Sequence, residues 1–479
     1  MGRIARPVYS GKGKRMKGLL LDCDGHPTRF ATERADLLFD AAMKAEPDCA
    51  GPRPQHRLRI YFAINFAIMW DRNGLLPSSQ GSILPPPAIK PAYFPPACEV
   101  IPCIEMPAPS GNYRMKKRIR AIALILMGLA AYLVLWPVPV QPVSWKAPPG
   151  RGYSGPHAVN ERLANLQIIP LGLEEGPEHV VLARDGKLYA AMASGNILRM
   201  NPDGSAQEVF ANTGGRVLGF DFDAQGNLVA ADAMKGLLSI SPEGRVAVLA
   251  DEVGGDRIRY ADAVVVASTG KIYFSDASTR FAPSAWGGTF EASILDIVEQ
   301  SSTGRILEYD PATKRVRIVA RGLSFANGVT LSKDEQSLFV NETGKYRVWK
   351  IAVASDNLDV TRDGPQAVVL FDNLPGYPDN LMRGLDGKIW LGFAKPRNPS
   401  ADAMADKPFL RKLALRLPRA LWPVPVAYGH VFAFTEDGNV VADLQDASGA
   451  YPDTTGVTET QDRLYVQSLH ANGLGWLPR

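Results

Sequence analysis

The stretch SFANGVTLSKDEQSLFVNETGKYRVWKI, residues 324–351, indicates the fold class of this chain. It contains two runs typical of β-strands, LFVNET and YRVWKI, which a Gly-Lys turn separates and an Asn-Gly turn precedes. A turn explains Gly328, but Asn327 stands just ahead of the apolar Val329 and needs its own explanation. The stretch predicts paired β-strands, and it leaves open whether Asn327 only forms a turn or also holds a ligand.

Units of the same kind recur over residues 160–479. Each has a Gly-containing turn, an apolar strand and a second strand that ends near a polar turn, and the six units begin at residues 185, 225, 269, 335, 386 and 461. Their irregular spacing of about 40 to 75 residues is typical of four-stranded propeller blades with insertions, and it argues against a β-helix. The sequence predicts an all-β fold, a six-bladed β-propeller. LQIIPLGL, residues 166–173, can supply the strand that the last unit lacks.

Two insertions interrupt the units, residues 280–304 in the third and residues 395–429 in the fifth. The second contains PFLRKLALRLPRAL, a pattern that predicts an amphipathic helix. Its apolar face is predicted to hold Phe409, Leu410, Leu413 and Leu417. Such a helix either covers one face of the propeller or forms a lid over the channel mouth, with its arginines resting on membrane headgroups.

Composition excludes several classes of protein. The net charge of +4 is small and its basic excess is local, so nucleic acid is not an expected partner. All four cysteines lie before residue 104, and none has CxxC spacing. A disulfide framework therefore does not stabilise the predicted propeller. No GxSxG motif is present, which disfavours a serine hydrolase.

A basic and then apolar segment precedes the propeller. Five basic residues between positions 114 and 120 are followed by an apolar run over residues 121–136, and no clear A-x-A cleavage site follows. Residues 115–140 are predicted to form an uncleaved signal anchor, a transmembrane helix joined to the propeller by a linker over 141–159. The charge bias predicts an extracytoplasmic propeller, periplasmic or lumenal. A cleaved signal and a secreted protein is the alternative.

Residues 1–114 form a Pro-rich preamble without usable periodicity, which predicts a non-globular segment. Met115 opens MKKRIR, which resembles the start of a signal sequence. We therefore expect that translation begins at Met115 and that the preamble is not translated.

Acidic and amide residues recur just before the predicted innermost strands. Loops that enter these strands converge on the propeller axis, and hard cations such as calcium take carboxylate and amide oxygens as ligands. The residues in this position are Glu178 in GPEHVVLA, Asp262 in RYADAVVVA, Asn327 in FANGVTLS, and Asp379 and Asn380 in YPDNLMRG. Their shared phase favours a metal site, although a single Asn-Gly pair is usually just a turn.

Three segments resemble the strictosidine synthase-like family: RYADAVVVASTGKIYFSDASTRF, residues 303–351, and LPGYPDNLMRGLDGKIWLGFAKPRN. That family includes the adipocyte plasma membrane-associated proteins and is related to the gluconolactonase (senescence marker protein) and paraoxonase groups. The resemblance covers about residues 150–479 and implies a six-bladed propeller with calcium, or another divalent cation, in its channel. It implies that Glu178, Asn327 and Asp379 are metal ligands, with Asn380 as a further ligand.

Two positions depart from the family pattern. Ala261 replaces a ligand of the lactonases, so Asp262 or water must serve instead. Thr455 stands where the alkaloid-forming synthases have a catalytic glutamate, and Glu459 is out of register, so the alkaloid condensation is not expected. His179 and His470 can face the channel, but a structural role is the preferred interpretation of each.

We predict from this a calcium-dependent hydrolase of small-molecule esters or lactones, attached to a membrane by its N-terminal helix. Calcium would polarise the carbonyl, and Asp379, or less favourably Asp262, would activate water. The alternative is a non-catalytic, calcium-stabilised propeller that binds ligands, which a ligand set without a clear base fits equally well.

Overall fold

The computed structural model describes residues 111–362, 364–422 and 425–479. Nearly all of the predicted preamble, with its four cysteines, lies outside the described residues.

Six sheets, the blades, follow one another along the chain. The first is β2 (His179–Leu182), β3 (Leu188–Ala191), β4 (Asn196–Met200) and β5 (Glu208–Asn212). The second is β6 (Val217–Phe222), β7 (Leu228–Asp232), β8 (Gly236–Ile240) and β9 (Val246–Ala250), followed by a small hairpin of β10 (Glu252–Val253) and β11 (Asp256–Arg257). The third is β12 (Ala261–Val266), β13 (Ile272–Asp276), β14 (Gly304–Asp310) and β15 (Arg315–Leu323), with β19 (Leu358–Asp359) added in parallel.

The remaining blades have the same plan. Blade four is β16 (Ala326–Leu331), β17 (Ser337–Glu342), β18 (Arg347–Ala352) and β20 (Ala367–Phe371). Blade five is β21 (Gly376–Arg383), β22 (Ile389–Pro396), β23 (Gly429–Phe434) and β24 (Val440–Asp446). Blade six is β25 (Thr454–Glu459), β26 (Arg463–Ser468) and β27 (Gly473–Pro478), completed by β1 (Gln167–Pro170).

The two ends of the propeller close its ring. Strand β1 pairs antiparallel with β27, with Gln167 opposite Trp476 and Pro170 opposite Gly473. The innermost strands contact one another in the cyclic order β2, β6, β12, β16, β21, β25 and back to β2. The prediction of a six-bladed, all-β propeller is confirmed, and so is the prediction that residues 166–173 supply the missing strand.

Apolar side chains of neighbouring blades form the core. Ile306 and Val319 of blade three, for example, pack with Val329 and Leu338 of blade four. Inner strands are buried on both faces, whereas the outermost strands are largely exposed. Removing these apolar faces from water is the main force that holds the blades together.

The Asn-Gly pair at 327–328 is not a turn, in contrast to the prediction. Both residues lie within β16, where the register with β17 shifts between Ala326 and Val329. A bulge of this kind changes the direction of a side chain. Gly328 is needed for close packing, because a Cβ there would lie 2.4 Å from the carbonyl oxygen of Asp379.

Helices precede and interrupt the propeller. They are α1 (Gly111–Leu135), α2 (Pro283–Trp286), α3 (Thr289–Glu299), α4 (Pro399–Ala403) and α5 (Pro408–Arg416). Single 3-10 turns cover Gly155–His157, Thr343–Lys345 and Arg419–Leu421. Over Met115–Leu135, α1 has a mean hydropathy of 2.0 and no buried residues, so it is long and apolar enough to cross a membrane.

Candidate functional site

Four of the predicted site residues line one cavity of about 580 Å³ at the end of the propeller where the innermost strands begin: Glu178, Asp262, Asn327 and Asp379. Glu178 directly precedes β2, and the other three belong to β12, β16 and β21. They come from blades one, three, four and five, so the ring brings together residues that are up to 201 positions apart (379 − 178).

Register shifts position three of these residues. The shifts lie between Ala261 and Val264, Ala326 and Val329, and Pro378 and Leu381. Each interval contains one of Asp262, Asn327 and Asp379. Because a bulge places an extra residue in one strand, it re-aims the side chain within that interval. A β-bulge thus recurs in three blades at the same end of the propeller.

A buried arginine neutralises part of the acidic charge. A guanidinium nitrogen of Arg216 donates to Oε2 of Glu178, and both side chains are buried. Nothing in the sequence repeat pointed to this partner, which stands just before β6 in the neighbouring blade. If Glu178, Asp262 and Asp379 are all ionised, these three carboxylates and Arg216 together carry a net charge of −2.

Two oxygens in the cavity lack partners. Oδ1 of Asp262 and Oδ1 of Asn327 are buried and have no hydrogen bond partner among the described residues. An unpaired buried polar atom is costly, typically about 1–3 kcal/mol. Oxygen atoms of this kind, from carboxylates and amides, are the ligands that calcium prefers. The residues present therefore fit a divalent cation.

The carboxyl groups in the cavity raise one another's pKa. Burial, followed by the charges of Asp379 and Glu178, raises the pKa of Asp262 well above its ordinary value. Burial and Glu178 likewise raise the pKa of Asp379, although a hydrogen bond from Asn327 acts in the opposite direction. Both carboxyl groups thus favour the neutral form unless a further positive charge is supplied.

The backbone of Glu178 is held from two sides. The amide nitrogen of Asn380 donates to its carbonyl oxygen at 2.9 Å, and Oγ1 of Thr455 donates to the same oxygen at 2.7 Å. Asn380 is buried, but it does not line the cavity wall. Thr455 is near the start of β25, whereas Glu459, at its far end, binds Lys388 and Trp390.

A histidine–aspartate pair also lies on the cavity wall. Nδ1 of His470 is 2.7 Å from Oδ2 of Asp453, and Lys395 forms an ion pair with the other carboxylate oxygen at 2.6 Å. Although burial raises the pKa of Asp453, the hydrogen bonds from His470 and Lys395 outweigh it and hold the pKa below its ordinary value. A proton on Nδ1 leaves Nε2 of His470 as a proton acceptor.

The two predicted histidines thus differ in position. His470 lines the cavity and is hydrogen-bonded to Asp453, so the structural role preferred from sequence stays a prediction. His179 is buried with its ring against Phe220, outside the cavity wall. Asp453 was not predicted at all, because it comes 17 residues before His470 and meets it only through the pairing of β25 with β26.

Both insertions roof the cavity. Helix α3 contributes Phe290, Ile294 and Ile297, and helix α5 contributes Ala414 and Leu415. The predicted helix is present, but its predicted apolar face does not form the roof, because Phe409 and Leu410 are exposed and do not line the cavity. The apolar roof over polar side chains is typical of a small-molecule pocket.

Two arginines of α5 are buried rather than exposed to headgroups, which corrects the expectation from sequence. Arg411 donates to the carbonyl oxygens of Val298 and Ala405, at 2.8 and 2.9 Å. Arg416 donates to the carbonyl oxygens of Leu133 and Trp136. Both side chains are needed to satisfy backbone groups of distant segments, which a helical wheel does not reveal.

A second polar cluster lies on blade five, away from the cavity. Nδ1 of His157 and Nε2 of His430 approach Oδ2 of Asp443 at 2.7 and 2.8 Å. These separations are hydrogen bond lengths, and Asn160 donates to the other carboxylate oxygen. The cluster joins the segment before β1 to the outer strands of blade five.

Comparison with known proteins identifies the family of this chain. Residues 155–200 match the family described as "Strictosidine synthase-like, N-terminal", and residues 262–355 match "Strictosidine synthase". The protein "STRICTOSIDINE SYNTHASE-LIKE 4" of Arabidopsis thaliana is 33% identical over 322 residues, which are 66% of this chain and 82% of that protein. The chain belongs to the strictosidine synthase-like family.

The chain is also similar to proteins with other names. The adipocyte plasma membrane-associated protein of Salmo salar is 29% identical over 379 residues, which cover 72% of this chain and 87% of that one. Among solved structures, a gluconolactonase from Xanthomonas campestris aligns with a TM-score of 0.47 and 18% identity, over 71% of this chain and 98% of the other.

Proposed function

We propose that this strictosidine synthase-like propeller is a hydrolase of small-molecule esters or lactones that depends on a divalent cation, calcium by preference. The observation that carries the proposal is the unpartnered oxygen pair of Asp262 and Asn327, set among three buried carboxylates. One divalent cation would balance the net charge of −2 that remains after Arg216 is counted. Glu178, Asn327 and Asp379 would hold it, with Asp262 in place of the ligand that Ala261 removes.

When bound, the cation supplies a Lewis acid that polarises the carbonyl group of the substrate. Asn380 and Thr455 fix the backbone of Glu178 and so position its carboxylate. Asp379 and Asp262, the bases expected from sequence, become poorer bases as cation ligands. His470 is the better base, because Asp453 orients its ring and Nε2 is left to accept a proton from water.

Helix α1 indicates where in the cell the propeller would act. The basic residues before the apolar helix α1 favour retention of that end in the cytoplasm, with the propeller on the extracytoplasmic side. The name of a relative, adipocyte plasma membrane-associated protein, supports association with a membrane.

A non-catalytic binding propeller is the rival function. The ion pair between Arg216 and Glu178 does not separate the two functions, because it affects the cation site that both share. The rival shares the cation site but needs no base, so it predicts that the protein binds the cation and hydrolyses no ester or lactone.

A hydrolase screen with the full chain, purified in detergent, separates the two functions. Aryl esters and lactones of increasing acyl length are offered before and after removal of divalent cations with a chelator. We expect hydrolysis that is lost on chelation and restored by calcium. The matched control for substitutions of cavity carboxylates is Asp221→Asn. Asp221 lies on β6, accepts hydrogen bonds from the backbone nitrogens of Phe222 and Val266, and does not line the cavity. Calcium binding without hydrolysis of any substrate would favour the rival.

A further inference from the structure

We propose that the mouth of the cavity lies against the bilayer that holds α1, and that the substrate is a long-chain ester or lactone dissolved in that bilayer. The substrate class rests on the proposed function, whereas the position of the mouth does not. The inference comes from the contacts between α1 and α5, the helix that forms part of the roof and is called the lid helix below.

The lid helix α5 contacts the last turn of α1 directly. Arg416 donates to the carbonyl oxygen of Leu133 at 3.0 Å and to that of Trp136 at 2.6 Å, and its own carbonyl oxygen accepts from the hydroxyl of Tyr132 at 3.0 Å. These bonds satisfy carbonyl groups at the helix end, where a cation is also favoured by the helix dipole. Leu415, the residue before Arg416, lines the cavity.

The chain between α1 and the propeller is held against the insertions that roof the cavity. The backbone nitrogen of Val143 donates to the carbonyl oxygen of Glu299, the last residue of α3, at 2.8 Å, and that of Trp145 donates to the carbonyl oxygen of Ala405 at 3.2 Å. Val140 is buried in an apolar cluster with residues of α3, and Trp145 lines the cavity. The cavity end of the propeller therefore cannot turn away from α1 without breaking these contacts.

Exposed apolar side chains occur on the insertions that roof the cavity. They include Phe290, Phe409, Leu410, Leu421 and Val426, and the exposed charged residues Lys407 and Arg419 belong to the same segments. Trp136 directly follows α1 and is half exposed, and its ring centroid is 5.4 Å from that of Tyr132. Such aromatic residues are enriched at membrane interfaces. A roof fastened at the end of α1 brings its apolar side chains to the membrane surface.

The cavity suits a substrate that arrives from this side. Its roof consists of Phe290, Ile294, Ile297 and Leu415, while the carboxylates lie where the innermost strands begin. An acyl chain would remain among apolar side chains as its carbonyl group approaches the site. Its volume of about 580 Å³ is within the range of small-molecule pockets, roughly 300–1,000 Å³.

The position of the mouth is tested by photolabelling. The full chain is reconstituted in phosphatidylcholine vesicles that contain a diazirine-bearing phosphatidylcholine, and labelled peptides are mapped by mass spectrometry. We expect labelling of peptides with Phe409 and Leu421 beyond α1 itself. The turn at residues 332–336, at the opposite end of β16 from Asn327, should stay unlabelled. Equal labelling of both ends, or labelling of the turn alone, would overturn the proposal.

The substrate class is tested with a surface variant. Phe409→Ser/Leu421→Ser changes side chains that are 54% and 64% exposed and do not line the cavity. We expect kcat/KM for a vesicle-dissolved long-chain ester to fall at least fivefold, with no change for a short water-soluble ester. Val209→Ser/Val248→Ser, at 56% and 59% exposure on outer strands, is the control and should alter neither.

Equal kcat/KM values for the surface variant and the unaltered chain with the long-chain ester would overturn the substrate class. If neither ester is hydrolysed by the unaltered protein, the proposed function fails and the substrate class with it. Photolabelling still decides the position of the mouth in that case.

Discussion

Arg216 donates a hydrogen bond to Oε2 of Glu178, and this ion pair is buried at the cavity between blades one and two. The pair explains how three carboxylates can share one small cavity. If all three carboxyl groups are ionised, they and Arg216 carry a net charge of −2, which one divalent cation would balance.

Removal of Arg216 is predicted to make the stability of the protein depend on calcium. In Arg216→Gln, Glu178 loses its buried partner, which typically costs about 3–5 kcal/mol. A bound cation replaces part of the lost positive charge, so calcium should raise the Tm of the variant more than that of the unaltered chain. Thermal unfolding with calcium and with chelator measures both.

Arg305→Gln is the matched control for this prediction. Arg305 forms a buried ion pair with Asp276 at 2.9 Å, and neither residue lines the cavity. Its loss should be equally destabilising with and without calcium. The same calcium response in both variants would mean that the cation does not bind beside Glu178.

His470 is predicted to be the base. His470→Gln should lower kcat by about 100-fold or more, the usual contribution of a general base, while the calcium content stays unchanged. Asp453→Asn should reduce kcat by a smaller factor because Asp453 acts by orienting the imidazole ring. Steady-state kinetics and elemental analysis of the same preparations provide the two readings. Full activity in His470→Gln would return the role to Asp379 or Asp262.

Asp296, a buried residue of α3, is predicted to weaken the fold as the pH rises. Burial raises its pKa from 3.8 to about 7. Between these values the unfolded chain loses the proton and the folded chain keeps it, so stability falls by about 1.4 kcal/mol for each pH unit, to a limit of about 4 kcal/mol. Asp296→Asn removes this penalty.

Denaturant unfolding of both proteins from pH 4 to pH 8 measures the effect of Asp296. The gain from Asp296→Asn should be small at pH 4, grow with pH and level off above pH 7. A gain that is the same at every pH would show that Asp296 titrates normally in the folded protein.

The sequence predicted the ring and the residues at its cavity because both follow from the phase of a repeat. Asp262, Asn327 and Asp379 precede or begin apolar strands at equivalent points, and closure of the ring then brings them together. The bulge at Asn327 was predicted to be a turn, because an Asn-Gly dipeptide occurs in turns as well as in bulges. The register shift between β16 and β17 and the close approach of β21 to Gly328 distinguish the two.

Features that depend on distant partners were not predictable. Arg216 lies 38 residues from Glu178, and only the contact between β2 and β6 brings them together. The leucines of α5 suggested one buried face, but the buried residues include Arg411 and Arg416, whose carbonyl partners lie in α1, α3 and the linker. A side chain that satisfies backbone groups elsewhere leaves no periodic signal.

Calcium content tests the central claim most directly. The full chain, purified with calcium and passed through a desalting column, is compared with Asp379→Asn and with the control Asp221→Asn by elemental mass spectrometry. We predict about one calcium per chain in the unaltered protein and in the control, as expected for an oxygen-ligand site, and less than about a tenth of that in Asp379→Asn. No calcium in the unaltered protein, or full retention in Asp379→Asn, would contradict the account.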